Sequence, residues 1–330
     1  MNIFGVVRSS GHFRCVLVLV FLILPQIAQA QWHATLGAQS KSMGHQALAF
    51  LPNEIWIHAG ENITWTSEVN EIHTVTFLTA GQIRLPFQAG CPGFVFSSSA
   101  SFDGSACVTT PPLVTGQSFT VTFPASGNFK LVCLVHQNMT SVVHVLDLSV
   151  ALPHTQAFYD HQAADERKAL LSDDDAEHQE RDSARAHSGM DTVTAGIGEA
   201  VANGGGSQTL SIMRFMEATK VIHAGETIEW TNLDPATPHT ITFGVEPLNP
   251  VPPVNAKLDA DGALHGVINS TADSVHSGLI GAAPQDQMFL PTPPLGVTRF
   301  RVTFTHPGVF AYICALHDTL GMKGKVIVLP

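Results

Sequence analysis

Charge is scarce in this chain. Only 13% of its 330 residues are Asp, Glu, Lys or Arg, about half the share of a usual soluble protein. Bases are scarcer than acids, 16 against 27, leaving a net charge of −11. Phosphate would repel such a balance, which excludes a nucleic-acid binder. Tyr is nearly missing, with 2 against 19 Phe. Five Cys are too few for a disulfide scaffold, so each needs its own explanation. No apolar run reaches the roughly 18 residues that span a bilayer, so no stable membrane span is expected. What the chain does have is 45% hydrophobic residues, 27 Gly and 20 Pro. That composition excludes disorder and a coiled coil, and points to β-sheet in roughly two domains.

The first thirty residues read as a secretory signal. Arg8 and Arg14 precede an apolar run from Cys15 to Leu24, and Ala28-Gln29-Ala30 is a small-x-small cleavage site. The chain is therefore expected to be exported, to a periplasmic or extracellular compartment, starting near Gln31. Cys15 leaves with the signal.

An internal repeat organises the rest. Ile57-His58-Ala59-Gly60-Glu61 returns as Ile222-His223-Ala224-Gly225-Glu226. His73-Thr74-Val75-Thr76-Phe77 returns as His239-Thr240-Ile241-Thr242-Phe243, and Thr110-Pro111-Pro112-Leu113 as Thr292-Pro293-Pro294-Leu295. Val121-Thr122-Phe123 returns as Val302-Thr303-Phe304, and Cys133-x-x-His136 as Cys314-x-x-His317. Five matches in one order indicate a duplicated domain. Phe119-x-Val121-x-Phe123 and Phe300-x-Val302-x-Phe304 alternate with period two, as half-buried strands do. Short alternating strands with Gly and Pro turns predict an antiparallel β-sandwich in each half. The expected domains are 31–152 and 208–330.

Residues 153–207 break the pattern and read as an acidic linker. They hold eleven acids against four bases, more than half of the net charge left after the signal is removed. Gln162 to Leu171 is expected to be helical, and Asn203-Gly204-Gly205-Gly206-Ser207 to be a flexible hinge. The linker histidines His154, His161, His178 and His187 suit no single helical face and read as solvated.

The chemistry lies in the repeated Cys and His. Cys314-x2-His317-x4-Met322, with His239 upstream, collects one thiolate, two imidazoles and one thioether. Cys133-x2-His136-x2-Met139, with His73 upstream, does so with a shorter loop. Trigonal His2Cys with a long axial Met is the donor set of blue copper, since thiolate and thioether suit Cu(I) while imidazole suits Cu(II). The expected cofactor is one type 1 copper per half. Three other readings were weighed. A Cys133–Cys314 disulfide would leave the duplicated Cys-x2-His unexplained. Structural zinc makes poor use of Met. A Cys–His nucleophile needs neither Met nor duplication.

On these residues both halves resemble cupredoxins, the plastocyanin/azurin/amicyanin family of blue copper proteins. The long second loop is similar to the plastocyanin spacing and the short first loop to the amicyanin spacing. The resemblance spans nearly all of 45–150 and 210–330. It implies an eight-stranded Greek-key sandwich in each half, a copper under one end, and one-electron transfer. It also implies that the ring edges of His136 and His317 reach the surface. Copper nitrite reductases and two-domain multicopper oxidases share the two-domain plan, so an intersubunit copper enzyme stays as an alternative, as does copper storage. Against the enzymes, Val132 and Ile313 stand where nitrite reductases place a His, and no His-x-His pair occurs.

Cys91 and Cys107 lie sixteen apart in a Gly/Ser-rich loop. In an oxidising compartment they are expected to form a disulfide worth roughly 3 kcal/mol. The second half has instead a longer loop, about 245–291, expected to lack regular structure and to cover a partner surface, with His265 and His276 solvated. His58 and His223 match in the repeat and read as an inherited strand end rather than a second metal site. The sequons at Asn62, Asn138 and Asn269 include one inside a ligand loop. The acidity predicts a redox partner with a basic patch and docking weakened by salt. A homo-oligomer is compatible with the sequence.

Overall fold

The computed structural model describes residues 31–85, 87–92, 97–172, 191–283 and 297–330. The signal reading, His178, His187 and the Thr292-to-Leu295 repeat lie outside the described residues.

In the first half the strands are β1 (Gln31–Gln39), β2 (His45–Leu51), β3 (Glu54–His58), β4 (Asn62–Ser67), β5 (Thr76–Phe77), β6 (Ser99–Ser101), β7 (Val108–Thr109), β8 (Ser118–Thr122), β9 (Gly127–Val132) and β10 (Thr140–Leu146). Helix α1 (Gln156–Leu171) follows. The second half has β11 (Asp191–Ala202), β12 (Ser207–Met216), β13 (Thr219–His223), β14 (Thr227–Leu233), β15 (Thr242–Phe243), β16 (Ala256–Leu258), β17 (Leu264–Ile268), β18 (Val275–His276), β19 (Arg299–Phe304), β20 (Gly308–Ile313) and β21 (Lys323–Leu329). Among the described residues the chain is thus all-β, with one α-helix and one short 3-10 turn, and the strands are where the alternating segments predict them.

The duplication is visible in the strand registers. In the first half Trp65 pairs with Phe119 and Ile63 with Val121. In the second Trp230 pairs with Phe300 and Ile228 with Val302. Alternate residues of β4 and β19 are buried, so these apolar side chains share one face. Each half sets this sheet against a second one, in the orders β3-β10-β9-β5-β7 and β13-β21-β20-β15-β18. Between the layers Trp65 meets Phe77 at 5.7 Å, and Trp230 meets Phe243 at 5.7 Å. Burying an aromatic of this kind contributes about 1.5–3 kcal/mol.

The halves are joined by backbone. Strand β12 pairs antiparallel with β2, Leu210 opposite Ala47 and Ile212 opposite His45. One eleven-stranded sheet therefore runs through both halves. Arg214 on β12 adds a link by donating to the Ser42 carbonyl at 2.7 Å.

Three expectations change. The stretch 153–207 is not all linker. Strand β11 begins at Asp191 and pairs with β14 and β12, and the Asn203 side chain accepts from the N–H groups of Gly205 and Gly206 to make a hairpin turn. The glycines serve that turn rather than a hinge. Helix α1 begins earlier than expected and is docked. Tyr159 is buried, with its hydroxyl donating to the Trp56 carbonyl, and Leu170 packs on Ala38, Ala47, Ala49 and Leu51. His154 stacks on Phe158 at 3.7 Å and so is not simply solvated. Last, the 245–291 region carries β16, β17 and β18, with β17 parallel to β19. His276 is buried there, bonded to Thr242 and the Pro250 carbonyl, and His265 is bonded to Asp259 and Thr303.

Candidate metal centres

The two ligand loops are hairpin ends. One joins β9 to β10, the other β20 to β21. Each is closed by the Cys N–H donating to the Met carbonyl, Cys133 to Met139 at 3.0 Å and Cys314 to Met322 at 3.1 Å. The upstream His comes from the chain just before β5 or β15. The His73 N–H donates to the Leu113 carbonyl, and that of His239 to the Ile280 carbonyl.

These elements bring the expected residues together. His73, Cys133 and His136 form one convergent group and His239, Cys314 and His317 another, all six buried. In the first, the two Nδ1 atoms are 3.2 Å apart and Cys133 Sγ lies 3.7 Å from His136 Nδ1. In the second, the Nδ1 atoms are 3.1 Å apart, with Cys314 Sγ at 3.9 Å from His239 and 3.3 Å from His317. On a trigonal ion, N···N would be about 3.5–3.6 Å and N···S about 3.7–3.8 Å. Both groups come within about half an ångström of that spacing, and their soft mixed donors fit copper. Met139 and Met322 are fully buried at the ends of the same loops. Cys133 and Cys314 are not paired with each other, whereas Cys91 and Cys107 form the expected disulfide. His58 and His223 stand in neither group. His58 bonds the Val150 carbonyl, and His223 is exposed beside Glu226.

The two groups lie in one family's sequence frame. A family model described as copper binding proteins, plastocyanin/azurin family, matches residues 38–146 and 199–329. The chain belongs to the plastocyanin/azurin family of copper binding proteins. It is therefore a tandem cupredoxin, with one candidate copper centre in each repeat. Among solved structures, a reduced Cu(I) form of an amicyanin mutant at pH 4 is 18% identical, covering 37% of this chain and 87% of its own, with a TM-score of 0.25. Oxidized plastocyanin from Dryopteris crassirhizoma is 19% identical, covering 42% and 99%, with a TM-score of 0.23. No curated protein matches the chain.

The surroundings of each cupredoxin centre tune its thiolate. Backbone N–H groups of Thr74 and Val135 donate to Cys133 Sγ, both at 3.4 Å. The Thr240 N–H donates to Cys314 Sγ at 3.3 Å, and its hydroxyl lies 3.8 Å away. The Thr74 and Thr240 hydroxyls also accept from the N–H after each Cys, both at 2.7 Å, tying the loop to the His strand. Burial alone would raise the Cys133 and Cys314 thiols. The hydrogen bonds and charges of the paired imidazoles outweigh it and hold both well below the usual range. Burial would likewise lower His136, but Cys133 and Glu71 raise it to about 9. His239 is raised to about 9 against burial by Asp234 and Cys314. These pairings favour a thiolate beside an imidazolium in each centre, and a metal bound there would displace protons.

Four supporting groups escape sequence reasoning. Arg84 donates to the carbonyls of Cys133, His136 and Gln137, clamping the first loop. Arg214 does so for the second, donating to the Leu320 carbonyl at 2.8 Å. Asp234, fully buried, faces His239 Nε2 at 3.8 Å and is held by the Ser211 hydroxyl and the N–H groups of Ala236 and Thr237. Glu71 faces two histidines at once, His136 Nε2 at 3.4 Å and His317 Nε2 at 3.7 Å. Burial would raise its carboxyl, but the charges of His317, His136 and His73 bring it down to about 2. The repeated Thr after each upstream His was a signal in the sequence. The two acids and two arginines carried none.

The implied exposure of His136 and His317 is corrected. Their residues are 1% and 3% exposed. The two edges converge on Glu71 of the first half, so the His317 edge is met across the seam between the halves and the His136 edge from within its own.

Proposed function

We propose that this cupredoxin is an exported blue copper protein that transfers single electrons and holds one type 1 copper in each half. The observation that carries this reading is the pair of buried His2Cys groups, each in a loop ending at a buried Met. His73, Cys133, His136 and Met139 would hold one copper, and His239, Cys314, His317 and Met322 the other. Bound copper supplies a one-electron couple between Cu(I) and Cu(II). The protein fixes the donors beforehand: Thr74, Thr240, Arg84 and Arg214 bind the loops, and burial excludes water. A site held this rigidly loses little energy to rearrangement when its charge changes, by the same preorganisation that serves catalysis. The N–H groups aimed at sulfur stabilise the thiolate and so set the potential. The signal-like first thirty residues support export. The acidic balance supports an external redox partner with a basic patch.

Copper analysis and visible spectra of the wild type and of Cys133→Ser and Cys314→Ser test the proposal. Two copper per chain with a thiolate-to-copper charge-transfer band are expected. Each variant should lose one copper and its share of the band. Fewer than one copper in the wild type, or no such band, would overturn the reading.

A further inference from the structure

Two cupredoxin centres in one chain need not communicate. Here they are placed to do so. The two imidazole edges that point away from the thiolates, His136 Nε2 and His317 Nε2, converge on a single carboxylate. Glu71 Oε1 lies 3.4 Å from the first and Oε2 3.7 Å from the second. Both are ion-pair contacts rather than aligned hydrogen bonds, and the glutamate is 5% exposed. A carboxylate is costly to bury unless it is paired. Glu71 sits in the connection before β5, in the first half, yet its second oxygen serves a ligand of the second half.

The duplication makes the point sharper. Glu71 lies two residues before His73, and the position two before His239 is Thr237. At this position the halves therefore carry one carboxylate between them, and the second half's own buried acid, Asp234, faces His239 instead. Two facing carboxylates in a buried site would repel each other. One offers an acceptor oxygen to each ring. The frame that holds the rings in place is itself interdomain: the β2–β12 pairing, and Arg214 donating both to the Ser42 carbonyl and to the Leu320 carbonyl in the second ligand loop.

We propose that Glu71 is the bridge for electron exchange between the two centres, through the path His136–Glu71–His317. With copper held in both halves, each event would move one electron from Cu(I) in one half to Cu(II) in the other, so that one is oxidised as the other is reduced. No bond forms or breaks, and the carboxylate keeps its charge. The bridge rests on the two-copper reading above and adds to it an internal route that single-domain cupredoxins lack.

The test has two arms. Copper-loaded protein receives less than one electron per chain from a flash-excited reductant. Redistribution between the centres is followed at the thiolate bands, or by freeze-quench electron paramagnetic resonance where the bands coincide. A phase independent of protein concentration is expected in the wild type. It should slow at least about tenfold in Glu71→Gln and Glu71→Leu, equivalent to roughly 1.4 kcal/mol in effective barrier. A concentration-dependent phase, or rates in both variants within twofold of the wild type, overturns the bridge. The second arm uses metal-free wild-type protein and needs no variant to fold. Nuclear Overhauser contacts from the Glu71 side chain to both imidazole rings are expected, and the absence of either overturns it. Copper content is measured on the same wild-type sample, so a failure of the two-copper reading is seen separately from a failure of the bridge.

Discussion

Asp234 is where two otherwise matching centres part. Its buried carboxylate faces the outer nitrogen of His239 in a 3.8 Å ion-pair contact, while among the described residues no carboxylate is paired with the corresponding nitrogen of His73. A carboxylate behind a ligating imidazole orients the ring and raises its basicity, and losing such a partner typically costs 10–100-fold in metal affinity. Asp234→Asn should therefore weaken copper binding in the second half by about 10–100-fold. The first half should be unchanged. Competition against a chelator, read at each thiolate band, checks this. Equal affinities in variant and wild type would show that Asp234 is only a turn former for Ala236 and Thr237. By the same asymmetry, copper bound in the two halves would not have to share one potential.

At the scale of elements, two β-bulges seat the upstream histidines. The pairing of β1 with β2 shifts register between Leu36 and Ala38, and that of β11 with β12 between Ala195 and Ile197. The residue in each bulge is glycine, Gly37 at φ 69° and Gly196 at φ 80°. A bulge glycine in this conformation lets backbone approach closely. What approaches is the upstream imidazole. A Cβ on Gly196 would stand 2.1 Å from His239 Nε2, and one on Gly37 would stand 2.7 Å from His73 Nε2. Gly196→Ala should thus displace His239 and abolish copper binding in the second half. Backbone strain should add a stability loss of about 1–3 kcal/mol. Copper content and a denaturation midpoint check both, and a variant that still holds two coppers would contradict the role given to the bulge. The strands themselves were legible in the sequence because alternation of Phe119, Val121 and Phe123 forces one face inward. The bulges were not, because one inserted residue leaves no period to detect. The docked part of α1 was also hidden: Tyr159 and Leu170 are its only buried side chains, too few to mark a face.

The molecule as a whole is more than two copies of one domain. The duplicated His, Cys, His and Met positions were readable because metal chemistry restricts residue type and loop length. Their convergence within each half followed. The mutual orientation of the halves did not, since neither composition nor spacing says which strand edges will pair. It is the joining of the halves that brings His317 to Glu71, an acid of the first half unremarkable in the sequence. Among the described residues no helix is long and apolar enough to cross a membrane.

The account's central claim is that both halves hold a redox-active copper, and reductive titration of the loaded protein tests it most directly. Bleaching of the thiolate-to-copper band should consume two electrons per chain, one for each His2Cys group. An endpoint at one electron, or a loaded protein with no band to bleach, would contradict it.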